Sequence, residues 1–225
     1  MAHRTRCNRP KTLHSWALFP TWTIEQTTDL QCVRSCYSVP LARGTADMQA
    51  ELRQRMDDFL DDNLWMLAWG ASVQRVRLYA RDVLPQQKTR LSDMLHNALR
   101  RELLPLYRSV VSEADHCAHI EYMKEKAEND GGSVLHKGRY RYSSAQKLLN
   151  LYLKYQWCLG HVAEPPHCPV DRIVLSMTAL RNKANWTDIE SRSEYLRLIE
   201  AIRQQANKEG VSIARWELLH YRRRR

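Results

Sequence analysis

Glycine is scarce in this sequence, with only seven among 225 residues. An architecture of many short strands needs frequent turns, so the shortage of backbone breaks argues against a sandwich or barrel. The abundance of Leu, Arg, Glu, Gln and Ala argues for helices instead. No apolar run approaches bilayer-spanning length. The segment Met1 to Pro20 is basic and interrupted by His14, Ser15 and Trp16, without the apolar core or small-residue cleavage site of a secretory leader. These absences predict a cytoplasmic chain with no membrane partner. The six cysteines, at positions 7, 32, 36, 117, 158 and 168, are spaced neither as a disulfide framework nor as a four-cysteine metal cluster. Reduced, packed thiols and the absence of a cofactor are the expectation.

What is present fits a helical protein with an anionic partner. Hydrophobic residues make up 44% and charged residues 27%, which is ordinary for a chain that buries a core in one domain or two small lobes. The net charge of +10 attracts polyanions by phosphate neutralisation and counterion release. Basic enzymes and ribosome-associated proteins share that property, so charge alone does not identify nucleic acid as the partner.

Along the chain, residues 1–22 read as a basic lead-in, and Thr23 to Tyr37 as a short helix stopped before Pro40. Thr45 is a candidate N-cap for a helix whose Met48, Leu52, Met56, Phe59, Leu60, Leu64, Leu67 and Ala68 form an apolar stripe. Asp57, Asp58, Asp61 and Asp62 lie largely off that stripe and read as a solvated face rather than a metal site. Gly70 punctuates, and helices are predicted over Ala71 to Val83, Gln86 to Leu104 with Pro105 as boundary, and Val110 to Glu128. Asn129 to Ser133 is the clearest turn signal. It divides a helical lobe over residues 23–130 from a motif-bearing lobe over 131–225.

In the second lobe, Ser143 or Ser144 can cap a helix reaching Leu159, and Asp171 can cap one reaching Lys183. Thr187 with Glu190 forms a capping-box pattern for a helix to about Ala206, and a last helix spans Ile213 to Tyr221. The helix from Ser144 carries Leu148, Leu149, Leu151, Tyr152, Leu153, Tyr155 and Trp157 around nearly its whole circumference, as a buried helix does. Lys147 and Lys154, seven apart, share one face of it. Each could snorkel to water, pair, or stand in a polar site, where burial would favour the nucleophilic amine. Asp171 follows a proline-stiffened approach, Pro165-Pro166-His167-Cys168-Pro169-Val170. A helix-capping aspartate satisfies backbone N–H groups, and the helix N-terminus favours its charge. A rigid carboxylate of that kind can also stabilise an oxocarbenium-like sugar.

Lys147-x-x-x-Leu151-x-x-Lys154, followed by Cys168-Pro169-Val170-Asp171-Arg172, resembles the helix-hairpin-helix DNA glycosylase superfamily. Within it, the pattern is most similar to the archaeal 8-oxoguanine glycosylase branch and to bacterial anti-phage glycosylases acting on glucosylated hydroxymethylcytosine. The resemblance covers about Arg141 to Leu180. It implies an all-α fold of two helical lobes flanking a cleft. Lys147 and Asp171 would then be the catalytic lysine and aspartate, with Lys154 supporting them. It further implies Leu151 and Trp216 as base-binding residues, although Trp216 reads equally well as an anchor of the last helix. Three departures are plain: no Leu-Pro-Gly-x-Gly hairpin precedes the lysine, Asp171 is followed by Arg172-Ile173 rather than Thr-His, and the iron–sulfur cysteines of some relatives are absent.

In place of that hairpin, Lys137, Arg139 and Arg141 alternate with Gly138, Tyr140 and Tyr142. Cations suit phosphate contact and aromatics can wedge or stack against bases, though exposed loops often carry such runs. Together with Lys154 and Arg172, these cations are the expected DNA-contacting set. Cys158, His161, His167 and Cys168 have zinc-ligand chemistry, but their spacing matches no familiar site and predicts packed or hydrogen-bonded side chains instead.

The implied activity is a monomeric DNA glycosylase that flips a modified base out of double-stranded DNA and excises it. Glucosylated hydroxymethylcytosine in phage DNA is the expected target, in anti-phage defence. The alternatives are an 8-oxoguanine-type repair glycosylase with lyase activity and a non-catalytic helical nucleic-acid-binding protein.

Overall fold

The computed structural model describes residues 41–222, and the packing discussed below is that of residues 46–222. The basic lead-in over residues 1–22 and the helix expected over Thr23 to Tyr37 lie outside the described residues. Among those residues the chain is all-helical. Seven α-helices run in order: α1 Leu41–Val73, α2 Pro85–Ala98, α3 Glu113–Gly131, α4 Tyr142–Cys158, α5 Arg172–Leu175, α6 Arg192–Lys208 and α7 Ile213–His220. None of them is long and apolar enough to cross a membrane.

The central element is α4. Leu148, Leu149, Tyr152 and Leu153 are fully buried on it, and its polar Ser143, Ser144, Gln146 and Asn150 are buried too. Each buried leucine contributes about 2 kcal/mol relative to exposure, which makes this helix the axis of the core. Helix α3 packs along α4, α2 packs on α3, and α6 packs on α7. Pro85, at the first position of α2, presets its entry, and the Gln87 side chain accepts from the Leu84 N–H. A single π-turn over Leu99–Leu103 leads into a 3₁₀ turn, Leu104–Arg108, where Pro105 redirects the chain. Ser112 then caps α3 by accepting from the Asp115 N–H.

Helix α3 runs three residues into the expected turn and ends at Gly131. A Cβ there would stand 2.5 Å from Leu91 Cδ1, so any side chain at this position would have to displace the buried Leu91. The return to α4 passes through left-handed backbone at Lys137 and Gly138, with φ of 57° and 65°. Leu135 forms an antiparallel bridge to Tyr79, which ties this hairpin to the segment after α1.

Several local expectations are corrected. Helix α1 begins at Leu41, so Thr45 lies inside it, and it continues through Gly70 to Val73 rather than restarting there. Its expected apolar stripe faces outward: Met48 and Phe59 are 65% and 67% exposed, and Leu52, Met56, Leu60 and Leu67 are exposed as well. Of that stripe Ala68 is buried and Leu64 half-buried, beside the buried Asp61, Trp65 and Ser72. Asp61 accepts from the Tyr152 hydroxyl, from Gln156 Nε2 at 2.7 Å, and pairs with His96 Nε2 at 2.9 Å. Burial raises its carboxyl, but the bonds from His96 and Tyr152 outweigh that and hold it below the usual range.

Ser143 and Ser144 are inside α4, whose N-cap is Arg141. Helix α5 stops at Leu175, where Ser176 and Thr178 bond back to the carbonyls of Ile173 and Leu175. The capping box of α6 is Ser191 with Glu194, not Thr187 with Glu190. Tyr140 and Tyr142 are buried in the core and not available to stack on bases.

Candidate functional site

The side chains of interest converge on a cleft of 1090 Å³ between α1 on one side and α4, α5 and the end of α7 on the other. Lys147, Leu151 and Lys154 reach it from one face of α4, as the four- and seven-residue spacings require. Asp171 and Arg172 reach it from the start of α5. Met66, Leu67, Gly70, Gln74 and Arg75 line the opposite wall from α1 and the turn after it.

Asp171 is the N-cap of α5. Its Oδ1 accepts from the N–H groups of Ile173 and Val174 at 2.8 and 3.0 Å, which fixes the carboxylate and leaves Oδ2 toward Lys147. The Lys147 Nζ lies 3.8 Å from Asp171 Oδ2, an ion-pair separation but longer than a hydrogen bond. Lys147 is only 6% exposed. Its amine sits 4.2 Å from the centre of the Trp186 ring. Burial lowers the affinity of this amine for its proton, Asp171 partly restores it, and Arg75 lowers it further. The result is a desolvated lysine beside a rigid carboxylate, open to a cleft.

The register of Lys147 and Asp171 is set by their chain neighbours. Gln146 is buried, and its amide donates to the Val170 carbonyl at 3.0 Å while its carbonyl accepts from the Val170 N–H at 3.1 Å. One side chain thereby clamps the strand-like approach of residues 165–170 to α4, one residue away from both site groups. Asn150 continues the network, donating to Gln146 Oε1 and to the Tyr195 hydroxyl. The Pro-rich approach thus reaches the site with a fixed backbone.

A second pair occupies the same cleft. Lys154 Nζ donates to Glu217 Oε2 at 2.6 Å and lies 4.9 Å from the Tyr221 ring centre. Glu217 is 1% exposed, and burial raises its carboxyl despite the nearby Lys154. Lys154→Met is expected to destabilise the fold by about 3 kcal/mol, because it strands a buried carboxylate. Adding Glu217→Leu should recover most of that loss. Urea unfolding of the two variants checks this, and equal midpoints for the single and double variants would contradict it.

The remaining expected site residues are not all brought to the cleft. Trp216 is buried, donates from Nε1 to Glu209 at 3.1 Å and lies against His220, as an anchor of α7 does. It is not among the described residues lining the cleft. Lys137, Arg139 and Arg141 stand exposed on the hairpin, where Arg139 pairs with Glu190 at 3.5 Å and Arg141 donates to the Thr187 carbonyl. Among the described residues, the one His/Cys/Asp/Glu group close enough to share an ion is Asp61, Asp62 and His96. Cys158 and His161 are exposed, whereas His167 and Cys168 are buried.

Trp186, Glu217, Tyr221 and Arg75 are cleft residues that sequence reading missed. For Glu217 a signal existed: its neighbour Trp216 was singled out, and one residue is a 100° turn on a helix. No protein-family model, no curated protein and no solved structure matches this chain.

Proposed function

We propose that the protein is a DNA glycosylase that takes a modified base from duplex DNA into the cleft and cuts its N-glycosidic bond. The observation that carries this reading is the juxtaposition of a buried Lys147 amine and a helix-capping Asp171 carboxylate, 3.8 Å apart at one cleft. Base excision needs both: a carboxylate to stabilise positive charge developing on the sugar, and a nucleophile or charge stabiliser at C1′. Lys147 and Asp171 Oδ2 supply those groups without hydrogen-bonding to each other, while Asp171 Oδ1 is held by the backbone of α5.

A flipped nucleotide enters the cleft between α1 and the wall formed by α4 and α5, where the half-buried ring of Tyr221 offers a stacking surface. As the glycosidic bond breaks, its electron pair leaves with the base, and Asp171 stabilises the cationic sugar. In one route the Lys147 amine bonds to C1′, and as its proton passes to O4′ the C1′–O4′ bond opens, giving a Schiff base that permits strand cleavage. In the other, water attacks C1′ and an abasic site remains. Glucosylated hydroxymethylcytosine is the proposed target by the resemblance of the Lys147–Asp171 segment, and a cleft of 1090 Å³ has room for a base with a bulky substituent.

The test is incubation with glucosylated-hydroxymethylcytosine phage DNA, with 8-oxoguanine duplex and with unmodified duplex, counting abasic sites before and after alkali. Base release from the first DNA alone supports the proposal. Release from the oxidised duplex instead would move the protein to repair. Salt-sensitive binding to all three with no release from any would make it a non-catalytic DNA-binding protein. Borohydride trapping of a covalent adduct, lost in Lys147→Gln, distinguishes the two routes.

A further inference from the structure

After α1 the chain runs across the hairpin that joins α3 to α4. The antiparallel bridge Tyr79–Leu135 is flanked by two backbone bonds, His136 N–H to the Leu78 carbonyl at 2.7 Å and Ala80 N–H to the Val134 carbonyl at 2.9 Å. Leu78 and Leu135 are buried at this junction, so its placement is fixed by packing as well as by hydrogen bonds. On either side of the bridge Arg77 and Arg81 are exposed. Lys137 and Arg141 project from the hairpin itself, and Arg75 begins the segment at the wall of the cleft.

These cations form one neighbourhood. Desolvation and then the charges of Arg77, Lys137, Arg141 and Arg81 all act on the His136 imidazole and hold it below its ordinary range. Among the described residues, neither Arg75, Arg77, Arg81 nor Lys137 has a carboxylate within ion-pair distance. Other exposed arginines are paired, Arg55 with Glu51, Arg139 with Glu190 and Arg215 with Glu164, or stand singly, as Arg53 and Arg90 do; what sets this group apart is that several unpaired cations act on one imidazole. A fold that gathers like charges without neutralising them stores repulsion, which an anion relieves. The gathering starts at the cleft and extends away from it along the hairpin. That is the course of a polyanion continuous with a nucleotide in the cleft.

We infer that the segment Arg75 to Arg81, docked on the hairpin through the Tyr79–Leu135 bridge, is a phosphate-binding track for the DNA strand leaving the cleft. This rests on the DNA reading proposed above and assigns to residues 75–81 a role that the motif-bearing half of the chain does not supply. Arg75 takes the phosphate nearest the flipped nucleotide, while Arg77 and Arg81, with Lys137, take those farther along. Such contacts carry no base preference; they set register and affinity.

The test uses the full chain and a fluorescein-labelled duplex of unmodified DNA, with affinity measured by anisotropy over a range of salt. Removing two phosphate contacts lowers the slope of log K against log salt by about 1.8. Arg77→Ser with Arg81→Ser is expected to show that reduction and to bind about tenfold or more weakly at low salt. Arg77→Lys with Arg81→Lys is expected to keep the parental slope, since the charge is retained. Equal melting temperatures of the three proteins exclude unfolding as the cause. Parental slope and affinity in the serine variant would overturn the track while leaving the glycosylase reading standing. Failure of the parent to bind duplex at any salt would overturn both. Loss confined to anionic phospholipid vesicles, with the duplex isotherms unchanged, would assign the surface to lipid headgroups and overturn it too.

Discussion

Asp171→Asn is expected to lower single-turnover base release about 10³-fold, equivalent to about 4 kcal/mol of transition-state stabilisation. The fold should be left intact. The separation is possible because Asp171 has two jobs on two oxygens. Oδ1 accepts from the Ile173 and Val174 N–H groups and caps α5, while Oδ2 faces Lys147. Asparagine caps a helix about as well as aspartate, so the amide keeps the first job and loses the charge needed for the second. Asp171→Ala removes both and should add a loss of about 1 kcal/mol in stability. If the proposed DNA reading holds, duplex binding in the asparagine variant should equal or exceed the parent's, because a negative charge has been removed from the cleft. Base release within tenfold of the parent, from a variant with parental melting behaviour, would remove Asp171 from the chemistry.

The parts of this site that local sequence could show are those whose geometry is local. Lys147, Leu151 and Lys154 share a face because they are four and seven residues apart on one helix, and α4 is buried because it is apolar all round. Asp171 caps a helix because a carboxylate preceded by prolines and followed by Arg-Ile-Val-Leu has that local solution. The 3.8 Å approach of Lys147 to Asp171 is a tertiary fact, anticipated only through a family pattern. What positions it, the Gln146 clamp on Val170, has no signature at all: a glutamine inside a helix reads as surface.

Helix α1 shows why the rest was hidden. Its sequence is amphipathic with an apolar stripe, yet most of that stripe is exposed while Asp61, Trp65 and Ser72 beside it are buried. Asp61 decides the matter through His96, Arg100, Tyr152 and Gln156, which lie 35 to 95 residues away. Periodicity states that a helix has two faces; only the partners state which one is inside. Trp186 and Glu217 were missed for the same reason, since each meets its lysine across 39 or more residues of chain. The early end of α5 is a contest of local bonds, in which Ser176 and Thr178 hydroxyls take backbone carbonyls and turn the chain.

Acid is expected to unfold this protein through two histidines that lie behind the site. His116 and His167 are buried, with rings 4.9 Å apart, and burial pushes each down to about 3. Their hydrogen bonds agree with neutral rings. His116 Nε2 donates to Asn150 Oδ1 at 2.8 Å, so its Nδ1 accepts from the Tyr107 hydroxyl at 2.7 Å. The Tyr195 hydroxyl, which accepts from Asn150, donates to His167 Nδ1 at 3.0 Å. Protonating either ring turns an acceptor into a donor facing a hydroxyl. The unfolded chain takes up these protons near pH 6.5 and the folded chain only near pH 3. Stability is therefore fully present above about pH 6.5 and is lost as pH falls, by up to about 1.4 kcal/mol per unit for each histidine. At pH 5 the pair should account for about 4 kcal/mol. His167→Asn offers an amide that can accept from Tyr195 without titrating, so it should recover about half of the acid-induced loss. Urea midpoints at pH 7.5, 6 and 5 measure it, and parallel pH profiles for parent and variant would place the acid sensitivity elsewhere. Because Asn150 also holds Gln146, and Gln146 holds Val170, the same protonation should loosen the register of Lys147 and Asp171 before the chain unfolds. Base release should therefore fall at a higher pH than the global transition.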